Sequence, residues 1–390
     1  MRKWIAGILC GAALLGVASF AGAPMSVRTL DLSTLAAYRD ASTAPGIRKD
    51  SLGITFADDS TIFVSAQFEF WPESGGKFSI KTQHASYNTA VLSVDVQTGT
   101  SHNAQVWQGW EGSPAILDGS KIHSSGNSGC LVAIGNQLLS LSHTLDVVAT
   151  RDLQLNRVQF NGYPQQDQWT LLTDSRSRRA LLVRFPFTPE ETTQVQGDAH
   201  WISVDTLEDQ SSFSVRQWDW SGAAIVGDAV VFNELRANHQ PASIQVNDEE
   251  PRPLCADCFG GVEGTFGSGL IFLRGQNQFW VTDSSGAILY HEKGIGGKAD
   301  TIGGVTGAVT SNRVAYVFGH LGRRLENTII VLDMDAKKEV WHLDLHMQPV
   351  TTQVGGLVKE SFPSTHLAIS PNGRTLAIVS GTVLSMYEIP

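Results

Sequence analysis

Residues 366–390 read HLAISPNGRTLAIVSGTVLSMYEIP: an apolar run, a Pro371-Asn372-Gly373 turn, a second apolar run, a Ser380-Gly381 turn and a third run. Gly and Asn supply the positive φ that tight connections need, so short aliphatic runs bounded by them spell a three-stranded antiparallel meander. A four-stranded unit built on this meander lacks one strand. Residues 27–33, VRTLDLS, form an otherwise unassigned strand of the right kind near the other end of the chain. Pairing the two would close a ring.

The same unit recurs along the chain, which is the first property to seek in an all-β sequence of this size. Copies lie at 56–68 with 89–100, at 130–153, at 169–185 (degenerate), at 222–235 with 242–246, at 267–294, at 311–320 with 327–345, and at 366–390. Seven copies in about 365 residues have a period of about 50, the range of propeller blades. Runs such as LIFL (270–273) and TIIVL (328–332) are apolar at successive positions, as expected of sheets packed on both faces. The expectation is an all-β chain: a single β-propeller of seven four-stranded blades, with the N-terminal strand joining the C-terminal blade; six and eight blades are the alternative counts, given the degenerate third copy and the long loops at 69–88 and 109–127. Two β-sandwich domains are the competing architecture. They account neither for a unit repeated along the whole chain nor for the orphan strand.

Composition agrees with short strands and turns. Of 390 residues 38 are Gly, only 17% are charged, and no long amphipathic helical stretch occurs. At the N-terminus, Arg2 and Lys3 precede an apolar stretch over 4–20, and Ala21-Gly22-Ala23 fits an A-x-A cleavage site. The stretch falls short of the roughly 20 apolar residues of a membrane span. We therefore read 1–23 as a secretory signal peptide and 24–390 as the propeller domain, exported to the periplasm or the extracellular space, with no membrane span after cleavage. The formal charge of -10 becomes -12 without Arg2 and Lys3, with 26 basic residues against 38 acidic. That balance argues against nucleic acid and anionic lipid as partners, since both need a basic face.

Three cysteines follow the leader. Cys130, within GCLVAI, reads as a small buried hydrophobe. Cys255-Ala256-Asp257-Cys258 is most simply a local disulfide in an exported chain; free structural thiols and a redox or metal-binding pair are the other readings. A metal site would want a second ligand pair at suitable spacing, and none is present.

On these residues the chain resembles the WD-repeat-like and YVTN-type propellers of exported bacterial proteins, and among them secreted propellers that carry a Cys-x-x-Cys loop ahead of a middle blade. The matching pieces are Ser370-Pro371-Asn372-Gly373-Arg374, the turn Asp95-Val96-Gln97-Thr98-Gly99, and Pro253-Leu254-Cys255-Ala256-Asp257-Cys258. The resemblance implies blades and no particular activity. The strict WD-repeat signature is absent, since Gly319-His320 and Trp218-Asp219 stand isolated. Asp95 with Trp107, and Asp333 with Trp341, resemble the blade motif of quinoprotein dehydrogenases. Turn aspartates and tryptophans packed between blades serve propellers of every function.

No catalytic constellation emerges. His342 and His346 lie on a segment, WHLDLH, that alternates as a strand, where four residues span about 13 Å, too far to share one ion. Gly294-Ile295-Gly296-Gly297-Lys298 lacks the first Gly and the hydroxyl of a phosphate loop, and Ser128 lacks a nucleophile-elbow frame. The clusters at 176–179 and Arg323-Arg324 read as solvated turn residues. The remaining candidates are the aromatics Phe70, Trp71, Phe78 and Tyr87, read as belonging to a long loop from 68 to 87, with Trp110 and, beside it, Trp107, Trp218 and Trp220 as additions to the same surface. Packing between blades is the competing role for each. The expectation is a monomeric, non-enzymatic scaffold, without cofactor or metal, binding a protein, peptide or glycan through loops at one mouth of the ring. The alternative is an envelope enzyme with a channel-centred site, a lactonase-like hydrolase or a quinone-dependent dehydrogenase.

Overall fold

The computed structural model describes residues 28–390 except 45–46, 72–84, 112–121, 126–128, 155–156, 161–162, 175, 177, 188–195, 235–240, 276, 294–299, 321–325, 347–349, 355–356 and 362–364. It is an all-β propeller of seven four-stranded antiparallel blades. Strand β1 (Arg28–Asp31) leads through a 3-10 turn and α1 (Ala36–Ser42), the single α-helix among the described residues, into blade 1. Blade 1 holds β2 (Ile47–Phe56), β3 (Thr61–Trp71), β4 (Ser86–Asp95) and β5 (Ser101–Glu111). Blade 2 holds β6 (His123–Ser124), β7 (Cys130–Ile134), β8 (Gln137–Leu141) and β9 (Val147–Asp152). A separate hairpin, β10 (Arg157–Phe160) with β11 (Tyr163–Gln166), precedes blade 3: β12 (Gln168–Thr173), β13 (Arg179–Phe185), β14 (Gln196–Ser203) and β15 (Asp209–Arg216). Blade 4 is β16 (Trp218–Val226), β17 (Ala229–Glu234), β18 (Ser243–Val246) and β19 (Arg252–Pro253). Blade 5 is β20 (Gly261–Phe266), β21 (Leu270–Gly275), β22 (Gln278–Thr282) and β23 (Ile288–Lys293). Blade 6 is β24 (Asp300–Gly307), β25 (Arg313–His320), β26 (Glu326–Asp333) and β27 (Lys338–His346). A second hairpin, β28 (Val350–Val354) with β29 (Leu357–Ser361), precedes blade 7: β30 (Thr365–Ile369), β31 (Thr375–Ser380) and β32 (Val383–Glu388).

Blade 7 takes its fourth strand from the other end of the chain. Strand β1 pairs antiparallel with β32, Arg28 opposite Met386 and Asp31 opposite Val383. The Leu32 N–H continues the ladder to the Thr382 carbonyl at 2.8 Å. The expected closure is therefore present, and it satisfies an edge that would otherwise be open.

The core is divided among the junctions between blades. Second strands lie in the middle of each sheet, and their successive side chains serve opposite junctions. In β3, Phe63 packs toward blade 2 while Ile62 and Val64 pack toward blade 7. In β13, Ala180 and Leu182 face blade 2, and Leu181 and Val183 face blade 4. In β25, Val314 and Tyr316 face blade 5, and Ala315 and Val317 face blade 7. A strand has period two, so a sheet buried on both faces needs apolar residues at both parities. This is the physical origin of the unbroken apolar runs.

Toward the axis the blades converge and side chains run out of room. A Cβ on Gly307 of β24 would lie 2.0 Å from the Cβ of Phe266 of β20. The innermost strands of blades 5 and 6 can approach there only because position 307 has no side chain. The third blade, read from sequence as degenerate, is complete, since β14 and β15 supply strands beyond the copy recognised at 169–185.

Candidate binding face

The antiparallel order sorts the connections. First-to-second turns of all seven blades and third-to-fourth turns of blades 1 to 6 lie at one end of the ring, and second-to-third and blade-to-blade connections lie at the other. The first end is built from short turns closed by their own side chains. Asp95 accepts hydrogen bonds from the Thr98 N–H at 2.7 Å and the Thr98 hydroxyl at 2.8 Å, which hold its carboxyl below its ordinary range. Asp283 does the same with the Ser285 hydroxyl (2.6 Å) and the N–H groups of Ser285 and Ala287, and is likewise lowered. Asp residues bond the backbone two or three positions on, which is why they punctuate these turns.

The same end is stitched from blade to blade. The Asn372 N–H donates to Asp59 at 2.9 Å between blades 7 and 1, and His143 meets Asp58 at 3.0 Å between blades 1 and 2. Arg179 bonds the Gly227 carbonyl and Asp228 between blades 3 and 4; Arg151, at the far end of β9, reaches the Leu207 carbonyl of blade 3 at 3.0 Å. Arg176, held by Asp174 at 2.7 Å, reaches past blade 4 to the Gly267 carbonyl of blade 5 at 3.0 Å. Ser268 donates to Asn312 between blades 5 and 6, and Thr310 and Arg313 donate to carbonyls of Pro371 and Gly373 between blades 6 and 7. Much of the polar capacity of this end is consumed by the ring itself. The opposite end carries the longer connections, including 72–85, 112–122 and 347–364, and α1. It is the face with chain to spare for recognition.

Blade 1 rises highest within this arrangement. Helix α1 clamps one of its faces: Tyr38 meets Phe68 edge-on at 5.0 Å, Asn88 donates to the Ala41 carbonyl at 2.8 Å, and Gln108 donates to the Asp40 carbonyl at 3.0 Å. Between them runs an open groove lined by Asp40, Thr43, Val106 and Gln108. On the other face Tyr87 stacks on Trp110, with centroids 4.4 Å apart and planes 16° from parallel, and its hydroxyl donates to Glu69 at 3.1 Å. Burial, with the Glu69 carboxylate beside it, pushes the Tyr87 phenol above its ordinary value, so it remains a donor.

The aromatics singled out from sequence are placed differently from a loop cluster. Phe70 and Trp71 belong to β3 and Tyr87 to β4; the connection begins at 72, and Phe78 lies outside the described residues. Phe70 is 2% exposed in the junction with blade 7, and Tyr87 is 7% exposed. The correction has a legible cause: Gln67, Phe68, Glu69 and Phe70 alternate polar and apolar, the period of a strand. Trp110, on β5, is half-buried with Trp107 against blade 2.

The other singled-out residues also have definite places. Cys255 and Cys258 form a disulfide, S–S 2.07 Å, whose sulfurs pack in the core between blades 4 and 5. Cys130 is fully buried and its thiol is pushed upward by burial. His342 lies on strand β27, hydrogen-bonded to Glu339; Ser128 and 294–298 lie outside the described residues. Trp341 packs on Tyr387 at 5.6 Å between blades 6 and 7. Sequence reading missed Asn233, whose amide donates to the Gly260 carbonyl at 3.0 Å and accepts from the Val262 N–H at 2.7 Å, tying blade 4 to the inner strand of blade 5. Nothing local in the sequence marks it.

Among the described residues no three His, Cys, Asp or Glu side chains converge to hold a metal ion, and no helix is long and apolar enough to cross a membrane. No protein-family model and no curated protein matches the chain. Among solved structures it is similar to an acylaminoacyl peptidase of Pyrococcus horikoshii, at 11% identity and TM-score 0.47, over 85% of this chain and 49% of that one. An acylaminoacyl peptidase in complex with Z-Gly-Gly-Phe-chloromethyl ketone is 11% identical, TM-score 0.44, over 86% of this chain and 50% of that one. BamB from Moraxella catarrhalis is 9% identical, TM-score 0.35, over 86% and 82%. The chain thus spans about half the length of the two peptidases it matches. These likenesses say nothing of its activity, substrate or partner, and the architecture rests on the blade topology itself.

Proposed function

We propose that the protein is an exported, non-enzymatic propeller scaffold that binds a protein, peptide or glycan on the face carrying the long connections. The observation that carries this reading is the placement of the connections: the short turns that link neighbouring blades lie at one end of the ring, and α1 and the longer connections lie at the other. Rigid scaffolds with variable loops at one end are built for recognition. The Cys255–Cys258 disulfide and the leader-like pattern over 1–23 support an oxidising destination.

The test is capture from envelope extract with the purified mature chain, run beside a glycan array. A specific partner or glycan, lost when 72–84 is replaced by a short Gly-Ser linker, is the expected result. Blank capture and a blank array, or a metal or quinone found in the purified protein by mass spectrometry, would overturn the reading.

A further inference from the structure

We infer that the outer edge of blade 1, strand β5 with the groove beside it, takes up an extended peptide segment bearing Lys or Arg as a further strand of its sheet. The inference names a partner class for the proposed binding role and rests on that reading.

The composition of this edge sets it apart. An outermost strand presents unpaired backbone N–H and C=O groups, and proteins guard such edges with short strands, Pro and charged side chains, Lys above all. In blades 2 to 7 the outermost strands β9, β15, β19, β23, β27 and β1 each carry a Lys or Arg: Arg151, Arg216, Arg252, Lys293, Lys338 and Arg28. Strand β19 is also cut to 2 residues and carries Pro253. Strand β5, SHNAQVWQGWE, has 11 residues without Lys, Arg or Pro, and its one acid, Glu111, is the last of them. Its sheet neighbour among the described residues is β4 alone. The register shifts against β4 fall on either side of 103–107, so that stretch offers a regular edge.

A strand laid on this edge directs alternate side chains to each face of the sheet. On the face that α1 covers, Val106 borders the open groove together with Gln108, Thr43 and Asp40. The groove is preformed, because Gln108 and Asn88 donate to the Asp40 and Ala41 carbonyls and hold α1 against the blade. Asp40 is exposed and has no ion-pair partner among the described residues. No basic side chain lines the groove.

These groups select the occupant. The backbone edge accepts an extended chain of any sequence, and the Asp40 carboxylate favours Lys or Arg where that chain faces the groove. The acidic chain, at -10, adds a field of the same sign. A second copy laid antiparallel about Val106 would carry its α1 to the same face and bring two Asp40 carboxylates to one seam, which opposes self-pairing.

The experiment pans random phage-displayed peptides about nine residues long against the whole protein and titrates the recovered peptides, synthesised, by fluorescence anisotropy. We expect them to be enriched in Lys or Arg. Methylating alternate backbone nitrogens along the paired edge of the peptide should weaken binding about tenfold. Ala104→Lys, at an exposed position of β5, should weaken it by about the same factor. Asp40→Asn should weaken it about two- to fivefold and abolish its salt dependence, and Asp40→Lys should weaken it further. Both Lys variants should melt within about 2 °C of wild type; if Ala104→Lys does not, Asp40→Lys and the methylated peptides on wild type decide. No recovered peptide, peptides without basic residues, or affinities unmoved by Asp40→Lys and by methylation would each overturn the inference. So would a wild-type dimer that Ala104→Lys converts to monomer, which would give the edge to a second copy. A partner captured from envelope extract equally by wild type and Ala104→Lys would leave the scaffold reading standing and sink this one.

Discussion

Single residues govern how closely the blades approach and how they are tied. Gly307→Ala puts a Cβ into Phe266, and a shift of two inner strands to relieve it is expected to cost about 1–3 kcal/mol, read by urea denaturation. Asn233→Ala strands the Val262 N–H and the Gly260 carbonyl between blades 4 and 5. Its expected loss is about 2–3 kcal/mol, with Asn233→Asp recovering only the accepted bond. The turn aspartates make stability depend on acid. Asp95 and Asp283 titrate lower in the folded chain than in the unfolded one, so what they contribute is fully present above the ordinary carboxylate range, at about pH 4, and is lost as the pH falls through their folded values. A melting temperature that declines below about pH 4, less steeply in the double variant Asp95→Asn, Asp283→Asn, is the expected signature. Asp95 was legible in the sequence because its bonds are local to its turn. Asn233 was not, because both of its partners lie on another blade.

At the scale of the element, the second strands announced themselves by apolar runs, since both parities are buried. The boundary of β3 was misjudged where aromatics cluster: Phe68 and Phe70 serve the core, and the strand runs on to Trp71. Outer strands gave weaker signals because their side chains are mostly exposed, as in β9, β15 and β23. Strand β9 is such an edge and exposes Val147 (51%) and Val148 (57%). Unpaired backbone beside exposed valines invites pairing with another chain. Val148→Lys is therefore expected to lower concentration-dependent light scattering while leaving the melting temperature within about 1–2 °C of wild type. Unchanged scattering would show that this edge is already protected.

For the whole molecule, stability depends on closing the ring between residues far apart in the chain. Deleting 24–33 removes β1 from blade 7 and opens the β32 edge, so the melting temperature should fall by about 5 °C or more, with aggregation on heating, beyond what trimming a frayed terminus would do. A truncated chain that melts with the intact protein would refute the role of closure. The repeat, its period, the two-faced strands and the pairing of the two chain ends were determined by the sequence alone, because turn chemistry and hydrophobic period are local properties repeated seven times. Which turns link neighbouring blades, which aromatics are core, and which polar atoms of blade 1 are left unpaired were decided only by the tertiary structure. These depend on neighbours contributed by other blades, and a single chain read in order cannot bring residues 59 and 372, or 176 and 267, side by side.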